Sequence, residues 1–184
     1  MSSASNSHGD TRPLRAICFD FGDTLADEAT EIKDETQTTL RAELIPGAAE
    51  LLYELKRRGV PLALVADGRP GTYYNVLTQH KVYDLFDAFA ISEIVGVEKP
   101  DRRIFEHAFR QLGVTPQEYG RVMMVGNNLA RDVKGANCLG LISVWLDWAP
   151  RRSKIPADEW EVPRYTIREP LQLLEVVNRL SQSA

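Results

Sequence analysis

The chain has almost no cysteine. Only Cys18 and Cys138 occur in 184 residues, so neither a disulfide framework nor a CxxC metal motif can be written. Two distant thiols read as buried free cysteines of a reducing, cytoplasmic compartment. Long apolar runs are also missing. No stretch approaches the roughly 18 residues of a membrane span, and the start, MSSASNSHGDTR, lacks the apolar core of a secretory signal. No segment repeats. Nor is there an excess of positive charge: 22 Lys and Arg stand against 26 Asp and Glu, a net of −4. Such a chain is a poor general binder of phosphate backbones, which argues against nucleic acid as a partner. His8, His80 and His107 have no ligand spacing.

What is present suits one globular domain. Hydrophobic residues make up 43% and charged residues 26%, which excludes a mostly disordered chain. A chain this long buries roughly 70% of its unfolded surface and needs no staples. Residues 1–12 are Ser-rich and polar and read as a disordered tail. That leaves 13–184 as the domain.

Short apolar runs alternate with amphipathic segments. Strands are expected over 15–21, 60–66, 87–92, 121–125 and 141–146, with a short last one over 164–167. Pro46-Gly47 opens a helix that turns Ala48, Leu51, Leu52 and Leu55 inward. Further helices are expected over 71–80, from Pro100-Asp101 to Gly113, over 129–139, and over 170–181 on Leu171, Leu174, Val177 and Leu180. Strands separated by helices imply right-handed crossovers, an α/β fold and a parallel sheet. Ligands of such sheets sit beyond the carboxyl ends of the strands. There the chain carries Asp20 to Thr24, Ala66 to Arg69, Glu98 to Asp101 and Gly126 to Asp132. Carboxylates converging with a lysine and Gly-rich turns suit a hard, oxygen-liganded cation and an anionic substrate.

These segments resemble the motifs of the haloacid dehalogenase-like hydrolases. FDFGDTL (19–25) is similar to the first motif, usually Asp-x-Asp-Gly-Thr. VADG (65–68) stands where the second belongs, ISEIVGVEKPD (91–101) resembles the third with its Lys, and VGNNLARDVKGA (125–136) resembles the fourth. The likeness runs from about residue 14 to 180. It implies a Rossmann-like three-layer sandwich with strand order 5-4-1-2-3 and a phosphohydrolase working through an aspartyl-phosphate. Carried over by position, Asp20 is the nucleophile and Lys99 neutralises the transferring group. Thr24, Ala66, Asp67, Gly68 and Lys99 surround the phosphate. Mg²⁺ falls to Asp20, the backbone carbonyl of Gly22 and Asn127, with Asp132 in its outer shell.

The departures from that pattern are specific. Gly22 stands where an acid/base Asp is usual, and Asp23 one residue on is the candidate to take over its role. Ala66 replaces a phosphate-binding hydroxyl, and Asn127 replaces a carboxylate. Losing an acid/base group costs about 10²–10⁴ in rate. A weakened phosphatase is therefore the first reading, and a catalytically impaired binding or regulatory module the second. Dehalogenation would want a cap and an apolar pocket, and neither is visible.

No cap domain is inserted. Residues 26–45, with Asp27, Glu28, Glu31, Asp34, Glu35 and Glu43, are too few for a core and read as an acidic solvated helix or loop. An open site of this kind suits large or macromolecular phosphorylated substrates. Arg151, Arg152 and Lys154 read as a solvated loop at its rim, and Trp145, Trp148 and Trp160 as packing residues. Deleting residues 1–12 is expected to change stability by no more than about 0.5 kcal/mol, since polar tails bury little. A large drop in melting temperature would show that the tail docks.

Overall fold

The computed structural model describes residues 14–182. The segment 1–12, expected to be a disordered tail, lies outside them. In chain order the elements are β1 (Ala16–Phe19), β2 (Ile32–Lys33), β3 (Thr39–Arg41), α1 (Ala48–Arg57), β4 (Leu62–Ala66), α2 (Pro70–Gln79), β5 (Ala88–Ile91), α3 (Ser92–Val95), α4 (Arg102–Leu112), β6 (Val122–Gly126), α5 (Lys134–Leu139), β7 (Ile142–Leu146), β8 (Tyr165–Ile167) and α6 (Leu173–Gln182).

Every residue of β1, β4 and β6 is buried, as continuous apolar runs in the middle of a doubly covered sheet must be. Alternation along these strands sorts side chains by size. Ile17, Phe19, Leu62, Leu64, Met123 and Val125 point to the layer of α1, α2 and α6. Ala16, Cys18, Ala63, Val65, Ala88 and Ala90 face the other way. Their small size admits the rings of Phe105 and Phe109 from α4, both buried. Burial pushes the Cys18 thiol up to about 12, so it stays a neutral packing group.

The sheet has six strands in the order β5-β4-β1-β6-β7-β8, and each neighbouring pair is parallel. Numbering only its first five strands along the chain, the order is 5-4-1-2-3 read from β7 to β5, with β8 added outside β7. This is the Rossmann-like three-layer arrangement, and β1, β4 and β6 lie side by side at its centre. Among the described residues no helix is long and apolar enough to cross a membrane.

Two expectations are corrected. The last helix does not rest on Leu171, which is 43% exposed. Pro170 opens a 3₁₀ turn over Pro170–Gln172 before α6 begins, and its tighter winding rotates the inward face onto Leu173, Val176 and Val177. Residues 26–45 are neither a helix nor a plain loop. Asp27 caps a 3₁₀ turn at Glu28–Thr30, and β2 and β3 then pair as an antiparallel hairpin.

That hairpin has little apolar support of its own, since Ile32 and Leu40 are exposed. Hydrogen bonds hold it instead. The Asp34 carboxylate accepts the N–H groups of Thr36 and Thr38 at 2.9 and 3.0 Å and the Thr36 hydroxyl at 2.7 Å, closing the turn. Thr39 N–H donates to Thr72 Oγ1 at 3.0 Å, and the side-chain amides of Asn75 and Gln79 donate to the carbonyls of Thr39 and Ala42. These contacts tie β3 to α2. Asp34→Ala is expected to speed amide exchange at Thr36 and Thr38 roughly 10-fold, the scale of one ordinary hydrogen bond, while amides of β1 and β6 stay protected. Unchanged exchange at both threonines would contradict this account of the turn.

Candidate active site

The central strands β1, β4 and β6 end side by side, and the residues that follow them line a cavity of about 320 Å³. Asp20 follows β1, Asp67 and Gly68 follow β4, and Asn127 follows β6. Lys99 reaches the same point from the loop between α3 and α4, and is 3% exposed. Its ammonium lies 2.5 Å from Asp20 Oδ1, 2.9 Å from Asp132 Oδ1 and 2.8 Å from the Val65 carbonyl oxygen. An ammonium has three donors, and three oxygens surround this one. Burial alone would push the Lys99 ammonium down. Asp132 and Asp20 outweigh it and hold the group above the usual lysine range. Burial pushes the Asp132 carboxyl up, and the charge on Asp20 adds to that.

The remaining contacts fix orientation. Thr24 Oγ1 lies 3.3 Å from Asp20 Oδ2, on the oxygen that Lys99 leaves free. Asp132 Oδ2 accepts the Asn128 N–H at 2.9 Å. Gly126 makes this possible, because a Cβ there would collide with the Asp132 carboxyl. Asp132 comes from a π-helical turn, Leu129–Val133, that Asn128 caps. Asp67 accepts Lys99 N–H at 3.0 Å and Arg131 Nη1–H at 3.1 Å. The Asn127 carbonyl accepts the Trp145 indole N–H at 3.0 Å, while its buried side-chain Nδ2 has no partner. Trp145 thus holds the loop as well as packing.

Asp20, Gly22, Asp67, Gly68, Lys99, Asn127 and Asp132 all line the cavity. Thr24 and Ala66 are buried behind its wall. Asp132 has one oxygen on Lys99 and the other on Asn128 N–H, so it supports the centre and is not placed as a direct ligand of a cation.

Asp23 is corrected as an acid/base candidate. Its backbone is left-handed, with φ 52°, which Asp tolerates better than most residues. Its carboxylate is fully buried, and Arg151 clasps it with Nε at 2.7 Å and Nη2 at 2.5 Å. A carboxylate held in this way faces away from the cavity and is a loop anchor. The rim cations expected as a solvated loop are in fact divided. Arg151 binds Asp23, Lys154 lies 2.5 Å from Asp147, and Arg152 lines the cavity.

Sequence reasoning missed one wall of the cavity. Glu28, Glu31, Lys33, Gln37 and Thr39 come from the turn and hairpin, and Thr72 and Tyr73 from the start of α2. The available signal was short, the Asp34 turn between two alternating segments. Burial, together with neighbouring Asp23, pushes the Glu28 carboxyl up.

A cation would have few charged ligands here. Among the described residues no three His, Cys, Asp or Glu side chains are grouped to hold one. The Asp20 carboxylate, the side-chain oxygen of Asn127 and the Gly22 carbonyl would be the oxygen donors for Mg²⁺, which commonly uses one or two carboxylates and completes its shell with water and substrate oxygens, while the orphaned Asn127 Nδ2 is a donor suited to an anionic oxygen.

Lys99→Met would leave two carboxylates without their shared cation. It is expected to cost about 3–5 kcal/mol of stability at pH 7, as removing one partner of a buried ion group does. Part of this should return toward pH 5. Unpaired carboxylates in a dry site have folded pKa values above the unfolded ones, so folding takes up protons and is favoured as pH falls. Urea unfolding at both pH values checks this, and a loss that grows at pH 5 would contradict it.

Comparison with known proteins agrees with the fold. The profile described as haloacid dehalogenase-like hydrolase matches residues 28–140. A glyceraldehyde 3-phosphate phosphatase of Methanopyrus kandleri is 33% identical over 137 residues, covering 74% of this chain and 58% of that protein. A phosphoserine phosphatase of Thermus thermophilus is 39% identical over 107 residues, covering 58% and 42%. The chain therefore spans about half the length of the curated relatives it matches. Among solved structures, an HAD phosphatase from Thermococcus onnurineus superposes with a TM-score of 0.64 at 27% identity, covering 74% of this chain and 59% of that one. The putative HAD-hydrolase YfnB of Bacillus subtilis, at a TM-score of 0.74 and 19% identity, covers 91% and 100% and shares the fold.

Proposed function

The chain belongs to the haloacid dehalogenase-like hydrolases, and on that premise we propose that it hydrolyses phosphate monoesters through an aspartyl-phosphate on Asp20. The observation that carries this reading is the placement of Asp20. It is a strand-end carboxylate on a cavity wall, fixed on one oxygen by Lys99 at 2.5 Å and touched on the other only by Thr24 at 3.3 Å. The freer Oδ2 is the oxygen to attack phosphorus, and covalent transfer divides one hard step into two. Relatives named as phosphatases support the same chemistry.

Charge decides what else is needed. Asp20 and Asp132 against the single ammonium of Lys99 leave no net positive charge at the centre to attract a phosphate dianion. Mg²⁺ held by Asp20, Asn127 and the Gly22 carbonyl would add two positive charges and draw charge from the phosphoryl oxygens. Asp132 orients Lys99 beside Asp20, where its charge would neutralise the transferring phosphoryl group. Asp67, pinned by Lys99 N–H and Arg131, fixes the turn after β4 on the cavity wall, where Gly68 N–H donates to Ser92 Oγ at 2.9 Å. The substrate is a small phosphate ester, or the phosphorylated end of a larger one, because the hairpin closes one side of a cavity of about 320 Å³.

Weakened turnover follows from two missing groups. Ala66 offers no hydroxyl to the phosphate, and Asn127 brings the cation no charge. The same absences favour the second reading, a binding or regulatory module that has kept the pocket.

Asp20→Asn should keep the fold by circular dichroism and lower hydrolysis of nitrophenyl phosphate by at least about 10³-fold, since an amide cannot act as the nucleophile. Undiminished turnover would remove Asp20 from the reaction. Asn127→Asp is expected to tighten Mg²⁺ binding at least about 10-fold in calorimetry, because it restores a charged oxygen ligand. Unchanged affinity would move the cation elsewhere.

A further inference from the structure

Breaking an alkyl phosphate ester needs a proton for the leaving oxygen, and breaking the aspartyl-phosphate needs one taken from water. Five carboxyls line the cavity: Asp20, Glu28, Glu31, Asp67 and Asp132. Four are occupied. Asp20 is the nucleophile, Asp132 is held by Lys99 and Asn128, and Asp67 by Lys99 N–H and Arg131. Glu31 accepts the Thr39 hydroxyl at 2.9 Å and lies 2.7 Å from Lys33. Asp23, behind the wall, belongs to Arg151.

Glu28 is the one left over. Arg151 and Arg152 are its nearest cations, each at 3.8 Å, beyond hydrogen-bond distance. Its backbone N–H is tied to Asp23 Oδ1 at 3.1 Å, which fixes where the side chain starts. Its carboxyl stands against Gly22, two residues beyond the nucleophile. A Cβ built on Gly22 would collide with Oε1 of Glu28 and lie 2.9 Å from its Cδ and 3.0 Å from its Cγ. The volume that a side chain at position 22 would fill is therefore taken by a carboxyl from another turn.

We propose that Glu28 is the catalytic carboxyl of this pocket, delivered from the Glu28–Thr30 turn into the space that Gly22 leaves open. The proposal rests on the phosphohydrolase reading above. In the first step Asp20 Oδ2 bonds to phosphorus, the bond from phosphorus to the ester oxygen breaks, and that oxygen takes its electron pair and a proton from Glu28, leaving as an alcohol. In the second, Glu28 takes a proton from water. The water oxygen bonds to phosphorus, the phosphorus–Asp20 bond breaks with its electrons returning to the carboxylate, and inorganic phosphate leaves.

The test uses the full chain with Mg²⁺ and two esters, propyl phosphate and nitrophenyl phosphate. Nitrophenolate leaves without a proton. Glu28→Gln should therefore still release about one nitrophenol per chain in a burst and then stall, with the phosphoryl group found on Asp20 by mass spectrometry. On propyl phosphate it should lose about 10²-fold or more with no burst, the scale of an acid/base group. Moving the carboxyl back, as Gly22→Asp with Glu28→Ala, should recover at least about 10-fold over Glu28→Ala alone. This pair also guards against a fold defect in the single variant. Parental turnover of propyl phosphate by Glu28→Gln overturns the proposal and leaves the phosphohydrolase reading standing. So does loss of the burst together with propyl turnover and no recovery in the double variant. If the unmodified chain cleaves neither ester, both readings fall.

Discussion

One buried ammonium organises the site. Lys99 donates to a carboxylate from the end of β1 and a carbonyl of β4 and is ion-paired with a carboxylate from the turn after β6. These come from three adjacent strands of the sheet centre. Desolvating such a charge costs several kcal/mol unless opposite charges and acceptors surround it, so the three strand ends and the loop before α4 must meet within a fraction of an ångström. Gly126 belongs to the same constraint, since any side chain there would displace Asp132. The centre is thus a requirement on the packing of the sheet as well as a place where chemistry can happen.

A second layer is built from charges behind the cavity wall. Arg151 reaches back to clasp the buried carboxylate of Asp23, with Asp27 3.4 Å from the same guanidinium. This joins the segment after β7 to the turn after β1 and holds the left-handed Asp23 in place. The order Gly22-Asp23 thereby acquires a physical meaning. The carboxylate at position 23 is spent on an anchor, and the bare Gly22 leaves room for the side chain of Glu28. The hairpin of β2 and β3, bound to α2 through Thr72, Asn75 and Gln79, adds a wall to the cavity.

Much of the scaffold was legible in the sequence. Apolar runs marked the six parallel strands, periodic faces marked α1 and α4, and strand-end positions pointed to Asp20, Lys99, Asn127 and Asp132. Such signals are local and repeated, and burial of whole strands leaves little ambiguity. The hairpin was not legible, because its strands are two and three residues long and its outward side chains Ile32 and Leu40 are exposed. The face of α6 was shifted by one 3₁₀ turn at Pro170, a change in winding that periodicity counted from 170 does not register.

The sequence by itself determined the α/β class, the parallel sheet and the set of residues that arrive at its carboxyl edge, because those depend on hydrophobic period and on position relative to strand ends. The partner of each charge was decided only by the tertiary structure. Asp23 and Glu28 are five residues apart, and nothing in their spacing says which faces the cavity. Arg151, 128 residues beyond Asp23, draws one carboxylate away, and the missing side chain at Gly22 admits the other. Pairings of that kind follow from which groups the fold brings within about 3 Å of each other in a dry space, where an opposite charge is worth most.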